Sequence, residues 1–433
     1  MSSNTQKIGA FRLTSLVTGN LIGSGVFLLP VSLAAFGSIS ILGWMVTSVG
    51  AILLALIFAG LSQQLPKTGG PYVYVREAFG YNVGFYVCWG YWMMSWMSNS
   101  SLLAGALGYL TMLVGNFDKD TAIIIEIAIL LTITSFNLLG IKTTGAGELV
   151  VTTLKILPLI MIPVFGLTVI DFDNLMLFND SGKSVPAAIN AVAFLTLWGF
   201  VGLETGTVPA GQVTNPKKNV PLATIAGTLI AAIVYVFGTI VILGVLPHAD
   251  LIASKAPYAD AASIIFGGTQ WGSFFALAAV VCCIGTLNGW TMIVGRMPQA
   301  AAAEGLFPKA FAKTNRYGTP YFGIIISSML SIPFILMSVQ DNLIEQFNFV
   351  MEVSVTLILV VYLLCVLAYI KLCCLKGGLK WHRMALGVLA LTFVLWALWA
   401  ASLKMVALSF CVVLLGIPMH IWLRFKKSHL INT

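Results

Sequence analysis

At 433 residues, 59% hydrophobic and only 9% charged, with a mean hydropathy of +0.96, the chain is excluded from the water-soluble class, since soluble domains carry about 25% charged residues. Its net charge of +8 is spread over many short loops rather than gathered on one face, which excludes a nucleic-acid surface. Seven cysteines form no C-x-x-C pair and the four histidines are scattered, so no metal site, disulfide framework or cofactor is expected, and no Walker or dinucleotide fingerprint offers a nucleotide-driven step.

The pattern predicts an all-α polytopic membrane protein of one transmembrane domain, with no separate soluble domain. Twelve apolar spans are read at 13–36, 39–63, 82–113, 121–140, 148–170, 187–211, 220–246, 270–301, 320–338, 345–370, 384–403 and 405–423, each near the ~20 residues a bilayer requires. The apolar run after Lys7 and Arg12 is too long for a cleavable leader and no small-residue cleavage site stands out, so the first span is expected to remain.

That first span contains Asn20-Leu21-Ile22-Gly23-Ser24-Gly25-Val26-Phe27. Two glycines around a serine favour an unwound turn at mid-bilayer, where free backbone groups are tolerated only if they line a cavity or bind something. In secondary transporters such broken helices hold the substrate; the same Gly-x-Gly pattern also serves as a packing notch between membrane helices. Span five carries Lys155. Span six reads Thr196-Leu197-Trp198-Gly199-Phe200-Val201-Gly202-Leu203-Glu204-Thr205-Gly206, with three glycines, a tryptophan and a carboxylate at membrane depth, which predicts a second break. Breaks in spans one and six suit two inverted repeats of five spans, 13–170 and 187–370, with 384–423 as two additional helices. Intramembrane carboxylates are costly, so Glu204 is read as functional. Glu126 and Glu352 receive no role; Glu352, two residues from Ser354, falls on roughly the opposite side of a helix.

With an even number of spans both termini share a side. That side collects 18 basic residues: Lys7, Arg12, Lys67, Arg76, Lys142, Lys217, Lys218, Arg296, Lys309, Lys313, Arg316, Lys371, Lys376, Lys380, Arg383, Arg424, Lys426 and Lys427. The other holds four, Lys119, Lys183, Lys255 and Lys404, together with all eight aspartates, Asp341 among them. The basic side is therefore expected to be cytoplasmic, in a bacterial-type inner membrane.

Several long motifs resemble the amino acid–polyamine–organocation superfamily: Gly19 to Pro30 in span one, Ala210-Gly211-Gln212-Val213-Thr214-Asn215-Pro216 continuing to Pro221 after span six, and, as in its arginine/agmatine antiporters, Gly285-Thr286-Leu287-Asn288-Gly289-Trp290 with Ala301 to Pro308, and Tyr91-Trp92 with Asn99. The resemblance covers nearly the whole chain. It implies a LeuT-like fold of twelve helices and exchange of an amino acid, basic by this likeness, for its decarboxylated amine or polyamine by alternating access. Gly23, Ser24 and Gly25 would then meet the substrate carboxylate at a half-helix N-terminus, and carbonyls near Leu21, Trp198 and Val201 its ammonium. Trp198 would gate the site, Trp290 would stack on the cationic head, and Ser95, Asn99 and Ser354 would contact the substrate side chain. Glu204 would be a proton-sensitive group controlling access.

The chain departs from the arginine/agmatine pattern at Ser95, where those proteins have cysteine, at the bulkier Met94, and at Lys155, which they lack. The first two favour a shorter cation such as ornithine, lysine or putrescine. Proton-coupled members of the superfamily often carry a lysine in span five, in place of the sodium ion other members use. This keeps a proton-coupled symporter using Lys155 as the alternative, beside a lysine that merely snorkels to the cytoplasm. A non-transporting sensor is the remote alternative. With no nucleophile–base pair, an enzyme is not expected; the partners expected are a small-molecule substrate and the lipid bilayer, with a homodimer left open.

Overall fold

The computed structural model describes residues 7–140, 145–337, 343–375 and 380–431. The side chains of Lys142, Asp341, Lys376 and Lys427, used above to orient the chain, lie outside the described ones. In chain order the α-helices are α1 (Ala10–Leu21), α2 (Ser24–Ala34), α3 (Ile39–Gln64), α4 (Pro71–Phe79), α5 (Tyr81–Val114), α6 (Lys119–Leu138), α7 (Gly145–Gly166), α8 (Val185–Thr196), α9 (Pro216–Val245), α10 (His248–Ala253), α11 (Pro257–Phe266), α12 (Thr269–Ala303), α13 (Tyr321–Met337), α14 (Leu343–Leu375), α15 (Trp381–Leu398), α16 (Leu403–Leu414) and α17 (Ile417–Ile431).

Helix is the structure these apolar runs must take, since only it satisfies every backbone group within one segment in lipid. Among the described residues ten helical segments are long and apolar enough to cross a membrane, and they coincide with ten of the twelve predicted spans. The predicted fifth and ninth spans fall on α7 and α13, which carry the shorter apolar stretches Lys155–Gly166 and Tyr321–Leu336.

The helix starts follow local chemistry. Proline stands at the first turn of α4, α9 and α11, where its missing N–H costs nothing. Asp118 caps α6 by accepting from the backbone N–H (3.2 Å) and hydroxyl (2.6 Å) of Thr121, and these bonds hold its carboxyl below the usual range. The predicted last span departs from a plain helix. It breaks between α16 and α17, where Pro418 has no N–H to continue the ladder and Gly416 lies against the Trp89 ring, which donates through Nε1 to the Val412 carbonyl (2.9 Å).

Packing sorts the helices into a core and a shell. The α1–α2 span is almost wholly buried, whereas less than a third of α6, α15 and α16–α17 is buried. Exposed Trp399, Leu403 and Phe410 show the apolar outer surface that lipid covers. The broad contacts run between α5 and α12, α5 and α14, α3 and α9, and α1 and α9. Close approach comes from small residues: a Cβ at Gly43 would meet Val192 Cγ1 at 2.1 Å, and one at Gly227 would meet Val17 Cγ1 at 2.8 Å.

Candidate substrate site between two interrupted helices

The first interruption lies at Ile22–Gly23, inside the predicted motif. Ile22 is extended (φ −79°, ψ 99°), Gly23 takes φ −141° and ψ −147°, and α2 begins at Ser24. The second opens after Thr196. A 3-10 turn covers Leu197–Phe200, Val201 is extended, and only 3-10 turns follow until α9. Gly202 sits at φ +115°, a conformation that a side chain rarely adopts. It also lies against Trp290 and the Asn20 carbonyl, which a Cβ would approach to 3.3 and 3.4 Å.

The two breaks meet around a cavity of ≈ 20 Å³, lined on the first break by Leu21, Gly23, Ser24 and Gly25 and on the second by Trp198 and Val201, with Trp290 beside them. That is the space of about one water. Asn20, Ser98, Leu102 and Thr286 complete the wall. Three helix ends converge here: the N-terminus of α2, which presents unpaired N–H groups, and the C-termini of α1 and α8, which present carbonyls. The Ser24 hydroxyl and the Asn20 amide nitrogen are fully buried and have no hydrogen-bond partner among the described residues. Trp198 closes the cavity from one side; its Cδ1 would lie 2.7 Å from a Cβ at Gly25, and its ring meets Phe347 edge-on at 6.2 Å. On the other side Trp290 donates through Nε1 toward the Asn20 carbonyl (3.4 Å) and lies 6.5 Å from the Tyr91 ring.

Not every expected contact assembles here. The Leu21 carbonyl already accepts from the Tyr235 hydroxyl (2.7 Å). Ser95 turns its hydroxyl onto its own helix, donating to the Tyr91 carbonyl (2.6 Å), and so does not line the cavity. Asn99 is buried outside the cavity wall, and its Oδ1 has no partner among the described residues. Ser354 is reached through Ser98, whose hydroxyl lies 3.2 Å from it. Ser98 is thus the α5 serine that faces the cavity, one helical turn beyond Ser95. Both stand in a serine-rich stretch, where the family resemblance pointed to Ser95.

Glu204 is completely buried below the second break. Its Oε1 accepts from the Tyr91 hydroxyl (2.7 Å), and its Oε2 accepts from the Tyr362 hydroxyl (2.5 Å) and the Gly202 N–H (3.3 Å). One carboxyl therefore ties together α5, the second break and α14. Tyr362 escaped the sequence reading, because nothing local marks a tyrosine 158 residues away as a partner. Lys155 is buried too, and its Nζ donates to the Gly19 carbonyl (3.2 Å) and the Thr286 hydroxyl (3.1 Å). Thr286 in turn reaches the Ile22 carbonyl at 2.6 Å. The ammonium and this hydroxyl together cover carbonyls that the end of α1 leaves open. Glu126 is buried with no partner for Oε1 among the described residues, and half-buried Glu352 has Lys404 as its charged neighbour.

Contacts between distant segments stand toward both ends of the bundle. At one end the Phe27 ring packs against Tyr109 and Tyr258 at 5.5 and 5.3 Å, and Tyr109 donates to the Phe27 carbonyl (2.9 Å). At the other, Arg76 on α4 forms a two-pronged pair with Glu304 after α12 (2.5 and 3.1 Å), and Ile8 pairs with the segment around Val213.

A polytopic helical bundle with two interrupted spans meeting at a small cavity is the architecture of a secondary transporter. The amino acid permease family profile matches residues 8–421, and the chain belongs to that family. It is 35% identical over 333 residues to the cadaverine/lysine antiporter of Escherichia coli K12, covering 76% of this chain and 74% of that protein. It is 34% identical over 371 residues to the putrescine transporter PotE of Haemophilus influenzae, covering 84% of each, and 32% identical over 375 residues to PotE of Escherichia coli K12.

Proposed function

We propose that the chain exchanges a basic amino acid for its decarboxylated amine or a polyamine across a bacterial inner membrane by alternating access, with both termini cytoplasmic. Five spans ending near 170 and five ending near 370 would form the inverted repeats, and 384–423 the two added helices. The observation that carries the reading is the N-terminus of α2 with the unpartnered, buried Ser24 hydroxyl, set across one cavity from the end of α1 and the Trp198–Val201 turn. A zwitterion fits such a site: carboxylate toward Gly23, Ser24 and Gly25, ammonium toward the carbonyls near Leu21, Trp198 and Val201.

The side chain of the substrate would extend toward Trp290, Ser98 and Ser354. An indole face attracts a cation, worth about 0.5–2 kcal/mol, and the lining residues include no base to receive an anionic side chain. The relatives that carry lysine, cadaverine and putrescine in their names support this choice. Since the cavity holds only about one water, loading requires the Trp198 ring to swing off Gly25. Glu204, held by Tyr91 and Tyr362, would latch three elements on the cytoplasmic side, and a change in its protonation would loosen that latch.

Proton-coupled uptake is the second reading. It is favoured by Lys155, whose ammonium bridges α1 to α12 through Gly19 and Thr286; loss of its proton would free the end of α1. A competition panel tests substrate class: against labelled lysine uptake, ornithine, arginine, putrescine and cadaverine compete, and glutamate and aspartate do not. Competition by the acidic amino acids would remove the basic-substrate assignment.

A further inference from the structure

A second concavity, of ≈ 260 Å³, lies away from the central cavity at the bundle end that collects the basic residues. It is a groove between the C-terminal ends of α3 and α14 and the N-terminal ends of α9 and α15. Its inner part is apolar, reaching Leu56, Ile225 and Leu386, and its outer part is polar, with Gln63, His382 and Arg383. Leu56 stands seven residues before Gln63, so the groove runs roughly 10 Å along α3 from the polar rim into hydrocarbon depth. Trp381, 79% exposed beside His382, marks the level of the membrane interface.

The rim carries basic side chains. Arg383 and His382 line it, and exposed Lys380 immediately precedes α15. Exposed Lys217 and Lys218 stand one helical turn from Pro221, which also lines the groove, on the same face of α9. The helices that form the groove supply no carboxylate beside them: α3, α9 and α15 contain no Asp or Glu, and on α14 the nearest acidic residue to groove-lining Tyr369 is Glu352, seventeen positions away. The start of α15 has no side-chain cap, so its first N–H groups add to the positive end.

We propose that this groove binds one acidic glycerophospholipid of the cytoplasmic leaflet, its phosphodiester held by Arg383, His382 and the start of α15, its acyl chains lying on Leu56, Ile225 and Leu386. The shape requires an amphiphile: a free phosphate would leave the apolar floor uncovered. The charge favours an anionic lipid over a zwitterionic one, because α3, α9 and α15 offer no carboxylate to its ammonium. A basic pocket between membrane helices on the cytoplasmic side is a known means of selecting such headgroups.

The test uses the purified full-length protein in nanodiscs of phosphatidylethanolamine with a graded fraction of phosphatidylglycerol, and counts retained lipid by native mass spectrometry. The protein is expected to retain one phosphatidylglycerol. Arg383→Gln should weaken retention about fivefold, and Leu386→Trp, which fills the floor and leaves every charge in place, should abolish it. Lys426→Gln, a basic residue elsewhere on the same bundle end, should change nothing. Equal retention of phosphatidylethanolamine, undiminished retention in Leu386→Trp, competition by millimolar glycerol phosphate, or an equal loss in Lys426→Gln would each overturn the proposal. Retention is read without transport, so its failure is separable from failure of the exchange reading.

Discussion

Trp290 and Glu204 sit on adjacent layers of the same region and carry different chemistry. The indole of Trp290 is held by its bond toward the Asn20 carbonyl and by the close approach of Gly202, so its face is fixed rather than adaptable. If that face holds the substrate cation, Trp290→Leu weakens ornithine or lysine by about 1–2 kcal/mol, roughly 5- to 30-fold, the scale of a desolvated cation–π contact. A neutral amino acid loses much less, and isothermal binding in detergent with both substrates measures the difference. Equal losses would make Trp290 a packing wall. For Glu204 the two tyrosine bonds fix shape, and the ionisable proton is a separate property. Glu204→Gln keeps the shape and cannot ionise, so substrate affinity is retained while the pH dependence of transport flattens; an unchanged profile would assign the proton elsewhere. Glu204 and Lys155 were legible as residues because charge is rare at membrane depth. Tyr362, Ser98 and Tyr235 were not, because a tyrosine or serine in an apolar span is ordinary until the fold brings it to a carboxylate, a cavity or a carbonyl.

At the scale of elements, the positions of both interruptions could be read in advance. Glycine spacing located the first break to within its motif, and the Trp-Gly-Phe-Val-Gly run located the second. Glycine and proline act locally, so sequence reports them well. The short helices α4, α10 and α11 went unread within what appeared as loops, since 6 to 10 residues give too little periodicity to register. The break between α16 and α17 was also missed, although Gly416 and Pro418 stood in view, because high hydropathy on both sides made the run look continuous. The same local logic yields a prediction. At Gly25 a methyl group would reach within 2.7 Å of the Trp198 ring, so Gly25→Ala holds that ring off α2. Fluorescence of Trp198 should then shift toward a solvent-exposed signal, and exchange should fall at least tenfold with the protein still folded. Full exchange in Gly25→Ala would mean that this ring contact plays no part in closing the site.

For the whole molecule, composition and spacing were enough for a membrane bundle with two interruptions, and the family followed from long motifs in order. How the proposed repeats would turn against each other depends on contacts made only in the assembled bundle. The contacts that would be made and broken join distant segments: Arg76 to Glu304, Ile8 to Val213, and Phe27 to Tyr109 and Tyr258. An exchanger returns through its cycle only when loaded, whereas a proton-coupled carrier returns empty once the proton has left. The most direct measurement is labelled lysine uptake into proteoliposomes, either preloaded with cadaverine or empty with an inward pH gradient, for the parent protein and for Lys155→Met. The account predicts rapid uptake only into cadaverine-loaded vesicles, with exchange surviving in Lys155→Met. Gradient-driven uptake into empty vesicles, lost in Lys155→Met, would contradict it and make the protein a proton-coupled symporter.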